Sequence, residues 1–203
     1  MRKSSRLTGA TLLVLLCVVA VIWYAALRED RHGLLTVSFL DVGQGDSIYI
    51  DAPSGRQVLI DGGKSSTVLR RLAAAIPWWD RTIDVVIPTH PDADHASGLY
   101  VVLEKLSVGQ LAMHRPWEHA DDIKNFFKDG RITASGLEDR LEKSLQHASD
   151  LEALSNKKKI PIVEPFQGIK GFNDSVHILG PSQEYYEKLL DVFFDIHDPT
   201  QLN

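Results

Sequence analysis

Cysteine is nearly absent from this sequence: Cys17 is the only one among 203 residues. A disulfide within the chain is therefore excluded. Leu16 precedes Cys17, where a lipidated cysteine usually follows a small residue, so Cys17 reads as filler of an apolar run. Charge is missing altogether from Thr11 to Leu27, TLLVLLCVVAVIWYAAL. Basic charge is scarce in the rest. Residues 28–203 hold 19 Lys and Arg against 27 Asp and Glu, a formal charge of −8 with His neutral. That excludes a broad basic surface for nucleic acid, although a local groove is still allowed. No internal repeat is visible. What is present, 44% hydrophobic and 24% charged residues, is ordinary globular composition, enough for one core of moderate size.

The uncharged run follows Arg2, Lys3 and Arg6. As a helix it would span roughly 26 Å at about 1.5 Å per residue, the short end of what crosses a bilayer. A cleaved signal peptide would use Val18 and Ala20 as its small-residue site. The run continues past Ala20, however, and carries Trp23 and Tyr24 near its far end, where aromatics suit a membrane interface. A buried core helix would show polar positions on one face. The favoured reading is an uncleaved anchor. Residues 1–10 then form a basic cytoplasmic tip, 11–27 cross the membrane, and 34–203 form an extracytoplasmic domain in an oxidising compartment.

Along that domain, LLTVSFL (34–40), IYIDA (48–52), QVLIDGG (57–63) and TIDVVIPT (82–89) read as strands. DVGQGDS (41–47) is a polar turn with two glycines. Ser65 or Ser66 would cap a helix carrying Val68, Leu69, Leu72 and Ala75 on one side. Ser97-Gly98-Leu99 leads into a second helix, with Leu99, Val102, Leu103 and Leu106 on one face. Strands, helix, strand, polar loop and helix imply an α/β layered domain. Residues 117–156 are a helical stretch. It holds a short helix ended by Gly130, a capping-box pattern at Ser135 to Glu138, and one long helix with Leu137, Leu141, Leu145, Ala148 and Leu151 on one face. Lys157–Lys159 suits that helix's carboxyl end. IPIVEP (160–165) and SVHILG (175–180) read as strands, and 183–194 as a helix.

The loop THPDADH (89–95) puts two imidazoles and two carboxylates, His90, Asp92, Asp94 and His95, where a strand's carboxyl end meets a helix. That is the usual place for ligand chemistry in such sheets. Alternation can turn 90, 92 and 94 to one side of an extended segment, with His95 following as the backbone turns. Helix capping would explain either aspartate, but not the two histidines with them. The mixture suits a borderline or moderately hard divalent metal such as zinc, manganese or iron.

THPDADHASGL resembles the His-x-His-x-Asp-His motif of the metallo-β-lactamase fold superfamily, with Asp92 at the second histidine's place. That replacement is common in the competence-associated branch, the extracytoplasmic domain of ComEC-like DNA-uptake proteins. FLDVGQGDSIYI (39–50) and VLIDGG (58–63) resemble that branch's two preceding strands. The resemblance covers about 34–106. It implies an αββα sandwich with metals at one edge: one or two ions, zinc or manganese, with His90 and Asp92 as one metal pair and Asp94 and His95 as the other. Asp94 would also orient the attacking water, and Asp61 would brace the loop from behind. As a strand-end turn residue Asp61 needs no such role. Asp41, Gln44 and Asp46, in the signature turn, are candidates for approaching the site.

The family's later ligands, an aspartate in a Thr-Gly-Asp-like stretch and a final histidine, are not visible. His114 and His119 are the best remaining candidates for reaching the site. His147 is expected to face solvent and His177 to be structural; His32 and His197 complete the set. The resemblance therefore implies the N-terminal part of a longer fold, or a shortened product, that needs a second half. The leading expectation is a membrane-anchored metallohydrolase cleaving a phosphodiester such as DNA through a metal-activated water. Its rival is a non-catalytic or truncated module with a role in assembly. Hydrolysis of a β-lactam or thioester fits less well, because that branch keeps histidine where Asp92 stands.

Overall fold

A computed structural model of the chain describes residues 2–27, 33–124, 133–171 and 176–197, without the side chains of 2–8, 25–27, 122–123 and 191–197. It begins with helix α1 (Arg2–Leu27). Among the described residues no helix is long and apolar enough to cross a membrane. The side chains described in α1 run from Gly9 to Tyr24 and are exposed. The crossing expected over 11–27 is thus not found among the described residues.

The domain is built on one six-stranded sheet. Its strands are β1 (Thr36–Phe39), β2 (Ile48–Asp51), β3 (Gln57–Ile60), β4 (Thr82–Ile87), β5 (Ser107–Ala112) and β6 (Ile162–Val163), in that order across the sheet. β1–β2 and β2–β3 pair antiparallel; β3–β4, β4–β5 and β5–β6 pair parallel. Only β2 therefore runs against the rest. A separate antiparallel pair, β7 (Lys170–Gly171) with β8 (Val176–His177), is all that the described residues show of the expected second sheet.

Side chains alternate across a strand, so each strand has two faces. One face carries Tyr49, Leu59, Val86 and Leu111, all buried. They join Val68 and Leu72 of α2 (Thr67–Ala75) and Leu99, Val102 and Leu103 of α3 (Ala93–Lys105) in the main core. The other face carries Val58, Val85 and Ala112, packed with Ile50, Ile60, Ile87 and Val176 of β8.

Several boundaries differ from the sequence expectation. β5 went unread because Gly109 and Gln110 break up its apolar signal, yet it is a central strand. β6 shrinks to two residues between Pro161 and Pro165, whose nitrogens cannot donate to the ladder. The helical stretch begins with a 3-10 turn (Pro116–His119) and α4 (Ala120–Ile123). The short helix ended by Gly130 falls partly outside the described residues. The single long helix is two: α5 (Ala134–Ser144) and α6 (Gln146–Lys158). Leu145 leaves the helical region at φ −109°, ψ 40°, which lets Leu141 and Leu151 enter the core from separate helices. The cap of α5 is Thr133, whose hydroxyl accepts from Gly136 N at 3.1 Å, rather than the Ser135 box. The last helix, α7 (Gln183–His197), buries Leu190.

Strand direction places everything that follows. β1, β3, β4, β5 and β6 all point the same way, so their carboxyl ends gather the loops at 40–47, 61–66, 88–95 and 113–119 along one edge. Sheets of this kind bind ligands at that edge.

Candidate metal centre

α3 starts earlier than its apolar pattern indicates. Asp92 stands at its N-cap and Ala93 opens the helix. Asp94 and His95 therefore lie on the first helical turn, not on an extended continuation of β4. The N-cap position does not account for the Asp92 side chain, which makes no capping hydrogen bond. Its Oδ2 instead lies 3.6 Å from His90 Nε2.

Behind the histidines stands Asp61, 4% exposed and held at φ +57° just past β3. Its Oδ1 accepts from Thr89 N at 2.8 Å and its Oδ2 from the Thr89 hydroxyl at 2.6 Å. His95 Nδ1 lies 2.9 Å from the same Oδ2, and His90 Nδ1 lies 3.0 Å from Thr89 Oγ1. The proton assignments follow from donor counting. A carboxylate only accepts, so His95 carries its proton on Nδ1. The Thr89 hydroxyl proton is committed to Asp61, so Thr89 Oγ1 accepts from His90 Nδ1–H. Both rings thereby keep the Nε2 lone pair free for another partner. The rings lie together, centroids 3.8 Å apart. Thr89, which links His90 to Asp61, is the residue that sequence reasoning passed over; its only signal was its place directly before the first histidine.

Burial alone would lower the pKa of His95, but the hydrogen bond to Asp61 and the charges of Asp61, Asp94 and Asp46 outweigh it and hold the imidazole above its ordinary value.

Three backbone segments are locked together around this cluster. Gly62 N donates to His95 O at 2.8 Å, Gly98 N to Gly63 O at 2.9 Å and Gly63 N to Asp46 O at 3.0 Å. A Cβ on Gly98 would lie 1.9 Å from Gly62 O, and one on Gly45 would lie 1.6 Å from Asp94 O. Neither position has room for a side chain, and Gly45 also needs φ +86°. The signature turn thus presses directly on the first turn of α3. Its polar residues divide. Asp46 is close enough to act on His95. Asp41 pairs with Arg71 of α2 at 2.8 Å, and Gln44 accepts from Lys64 at 3.3 Å.

His114 and His119 lie beyond β5 at the same edge, but their partners are elsewhere. His119 Nε2 is 3.0 Å from Glu164 Oε2, whose other oxygen accepts from Arg115 N at 2.6 Å. His114 stacks on Tyr186 at 4.5 Å between centroids and packs against Phe166 at 4.8 Å. Its Nδ1 is buried and has no partner among the described residues. Desolvation lowers its pKa against the pull of Glu164. His147 and His177 are exposed; His177 is therefore not the structural residue expected of a strand. His32 and the side chain of His197 lie outside what is described.

The donor types suit a borderline divalent cation: two imidazoles with free Nε2 lone pairs, each oriented from behind, beside the two carboxylates. They come together in pairs only. Among the described residues no group of three or more His, Cys, Asp or Glu is close enough to hold an ion.

The chain is similar to known proteins over part of its length. The chain is 28% identical over 80 residues to the exodeoxyribonuclease WalJ of Streptococcus pneumoniae, in two strains. That match takes in 39% of this chain and 29% of the relative, so the chain spans less than a third of the length of these curated relatives. Among solved structures, a metallo-β-lactamase of Cronobacter sakazakii mutated in its HARLDQ motif aligns at 20% identity and TM-score 0.34, over 43% of this chain and 35% of that one. The hydrolase AbOPH of the beta lactamase superfamily aligns at 16% identity and TM-score 0.40, over 63% and 45%. Both overlaps are too loose to say more about this chain. The family model is decisive: it matches residues 40–182, from the signature turn through the histidine loop and the helical stretch, and the chain belongs to the metallo-β-lactamase superfamily.

Proposed function

We propose that the chain is a metal-dependent hydrolase of phosphodiesters, DNA among them, held at the outer face of a membrane by α1. The observation that carries the reaction class is that Asp61 holds Nδ1 of His95 directly and Nδ1 of His90 through Thr89, which leaves the Nε2 lone pair of both rings for another partner. His90, Asp92, Asp94 and His95 would hold one or two divalent ions, zinc or manganese. Such an ion supplies an activated water and a positive charge facing the developing negative charge. The protein's own part is to fix the rings, keep their Nδ1 protons in place and offer the Asp94 carboxylate to orient the water and take its proton. Further donors would come from outside the described residues, or from a second polypeptide. The phosphodiester reading draws on the nuclease activity named for the pneumococcal relatives. Asp92 in the second histidine's place supports the competence-associated branch over lactam hydrolysis. The charge-free run with Trp23 and Tyr24 at its end supports the anchor.

A second reading, a non-catalytic module, is favoured by the absence of any three-donor group among the described residues. Elemental analysis of the purified chain with His90→Ala and Asp94→Ala, beside a phosphodiesterase assay with added Mn²⁺ or Zn²⁺, separates the two. Turnover that falls in both variants supports hydrolysis. Turnover unchanged in both rejects it, and bound metal without turnover selects the module.

A further inference from the structure

Trp78 and Trp79 are the most conspicuous surface feature away from the histidine loop. They are 71% and 48% exposed, follow Pro77, and sit edge to face at 5.6 Å between centroids. Two neighbouring indoles in water are unusual for a soluble surface, because each carries a large apolar area. Trp78 also meets Trp23 of α1 edge-on at 6.3 Å. Arg81 and Lys105, both exposed, line the same shallow recess as Trp78. Lys105 also pairs with Glu104 at 3.2 Å, while the Asp80 carboxylate is occupied by Thr82 and Gln57.

Strand direction shows where this patch lies. Trp78, Trp79 and Arg81 precede β4, and Lys105 precedes β5. Both strands run towards the histidine edge, so the patch is on the opposite edge. β1 runs the same way, and the exposed Leu34 and Leu35 lead into it. The chain coming from α1 therefore enters the domain at the Trp78 edge as well. Amphipathic indoles beside two cations match the chemistry of a lipid–water interface, apolar below and phosphate above.

We propose that this edge docks on the bilayer that holds α1, with Trp78 and Trp79 in the interfacial layer and Arg81 and Lys105 at lipid phosphates. The inference rests on the anchor reading above. It has a consequence for substrate. The six residues of β4, at about 3.3 Å each, hold the histidine edge about 20 Å above the lipid, facing away from it. The substrate then arrives from the aqueous side, which suits a soluble phosphodiester and disfavours a lipid headgroup.

The test uses the full chain in phosphatidylcholine vesicles containing phosphatidylglycerol. A fluorophore sensitive to nitroxide quenching is placed on native Cys17 or, in a Cys17→Ser background, on Trp79→Cys or Gln44→Cys. Headgroup nitroxides should quench the label at 79 several-fold more than the label at 44, and acyl-chain nitroxides should quench the label at 17. No quenching at 79 while Cys17 is quenched overturns the docking and leaves the anchor standing. Quenching at 44 equal to or above that at 79 overturns the orientation. No quenching at Cys17 overturns the anchor, and the docking with it.

Discussion

Two clusters at the same edge of the sheet use nearly the same residues and differ in what they leave open. One, after β4, has His90 and His95 with Asp61 and Thr89. The other, after β5, has His114 and His119 with Glu164. In the first, the carboxylate takes Nδ1 of His95 and leaves Nε2 untethered. In the second, Glu164 takes Nε2 of His119, and the rings of Phe166 and Tyr186 wall in His114. Residue type therefore does not make a site. Which ring nitrogen is tethered, and whether anything can reach the other, decides between a ligand and a strut.

The contrast can be broken or sharpened by substitution. Asp61→Ala should have the largest effect on stability. It leaves Thr89 N–H and His95 Nδ1–H without their acceptor in a buried place, a loss of about 3 kcal/mol in urea unfolding. Retained metal should fall about 10- to 100-fold at the same time, as for an outer partner of a ligand. A loss under about 1 kcal/mol would show that Asp61 is not the hub. Glu164→Ala should cost about 2 kcal/mol through His119 and Arg115 N and leave metal content unchanged. A parallel fall in metal would merge the two clusters into one site.

His90→Ala reverses that pattern. The ring is half-exposed, so stability should move by no more than about 0.5 kcal/mol, whereas metal retention and phosphodiester cleavage should drop sharply. The smallest effect belongs to His114. Its pKa in the folded chain lies below the ordinary 6.5, through desolvation and the neighbouring His119, against the pull of Glu164. The unfolded chain then takes up the proton first as pH falls. The stability His114 contributes is complete above 6.5 and is lost as pH falls through its lowered folded value. His114→Phe should flatten that part of the acid limb in urea midpoints taken across this range. An unchanged slope would assign it to other groups.

The first four strands, α2 and the body of α3 were readable because each is short, apolar and bounded by turn residues. β5 was not, since its place between β4 and β6 depends on partners far along the chain, and its own residues are unremarkable. The break at Leu145 was invisible for a related reason. Leu137 to Leu151 keeps one periodicity, and only packing against two different neighbours splits it. In the site, the four donors and Asp61 could be named from the loop and strand end. The role of Thr89 could not be, because it depends on a carboxylate 28 residues away in sequence.

By itself the sequence determined the candidate donor set, an α/β layered domain with the histidine loop where a strand's carboxyl end meets a helix, and the separation of an apolar N-terminal run from an acidic domain. These are properties of spacing and composition. Only the tertiary structure decided that Asp92 faces His90 instead of capping α3, that Asp61 fixes the protonated nitrogen of His95 directly and that of His90 through Thr89, and that His114 and His119 are drawn into a network of their own. Each of those outcomes turns on hydrogen-bond geometry and burial between residues distant in the chain, which a linear pattern does not encode.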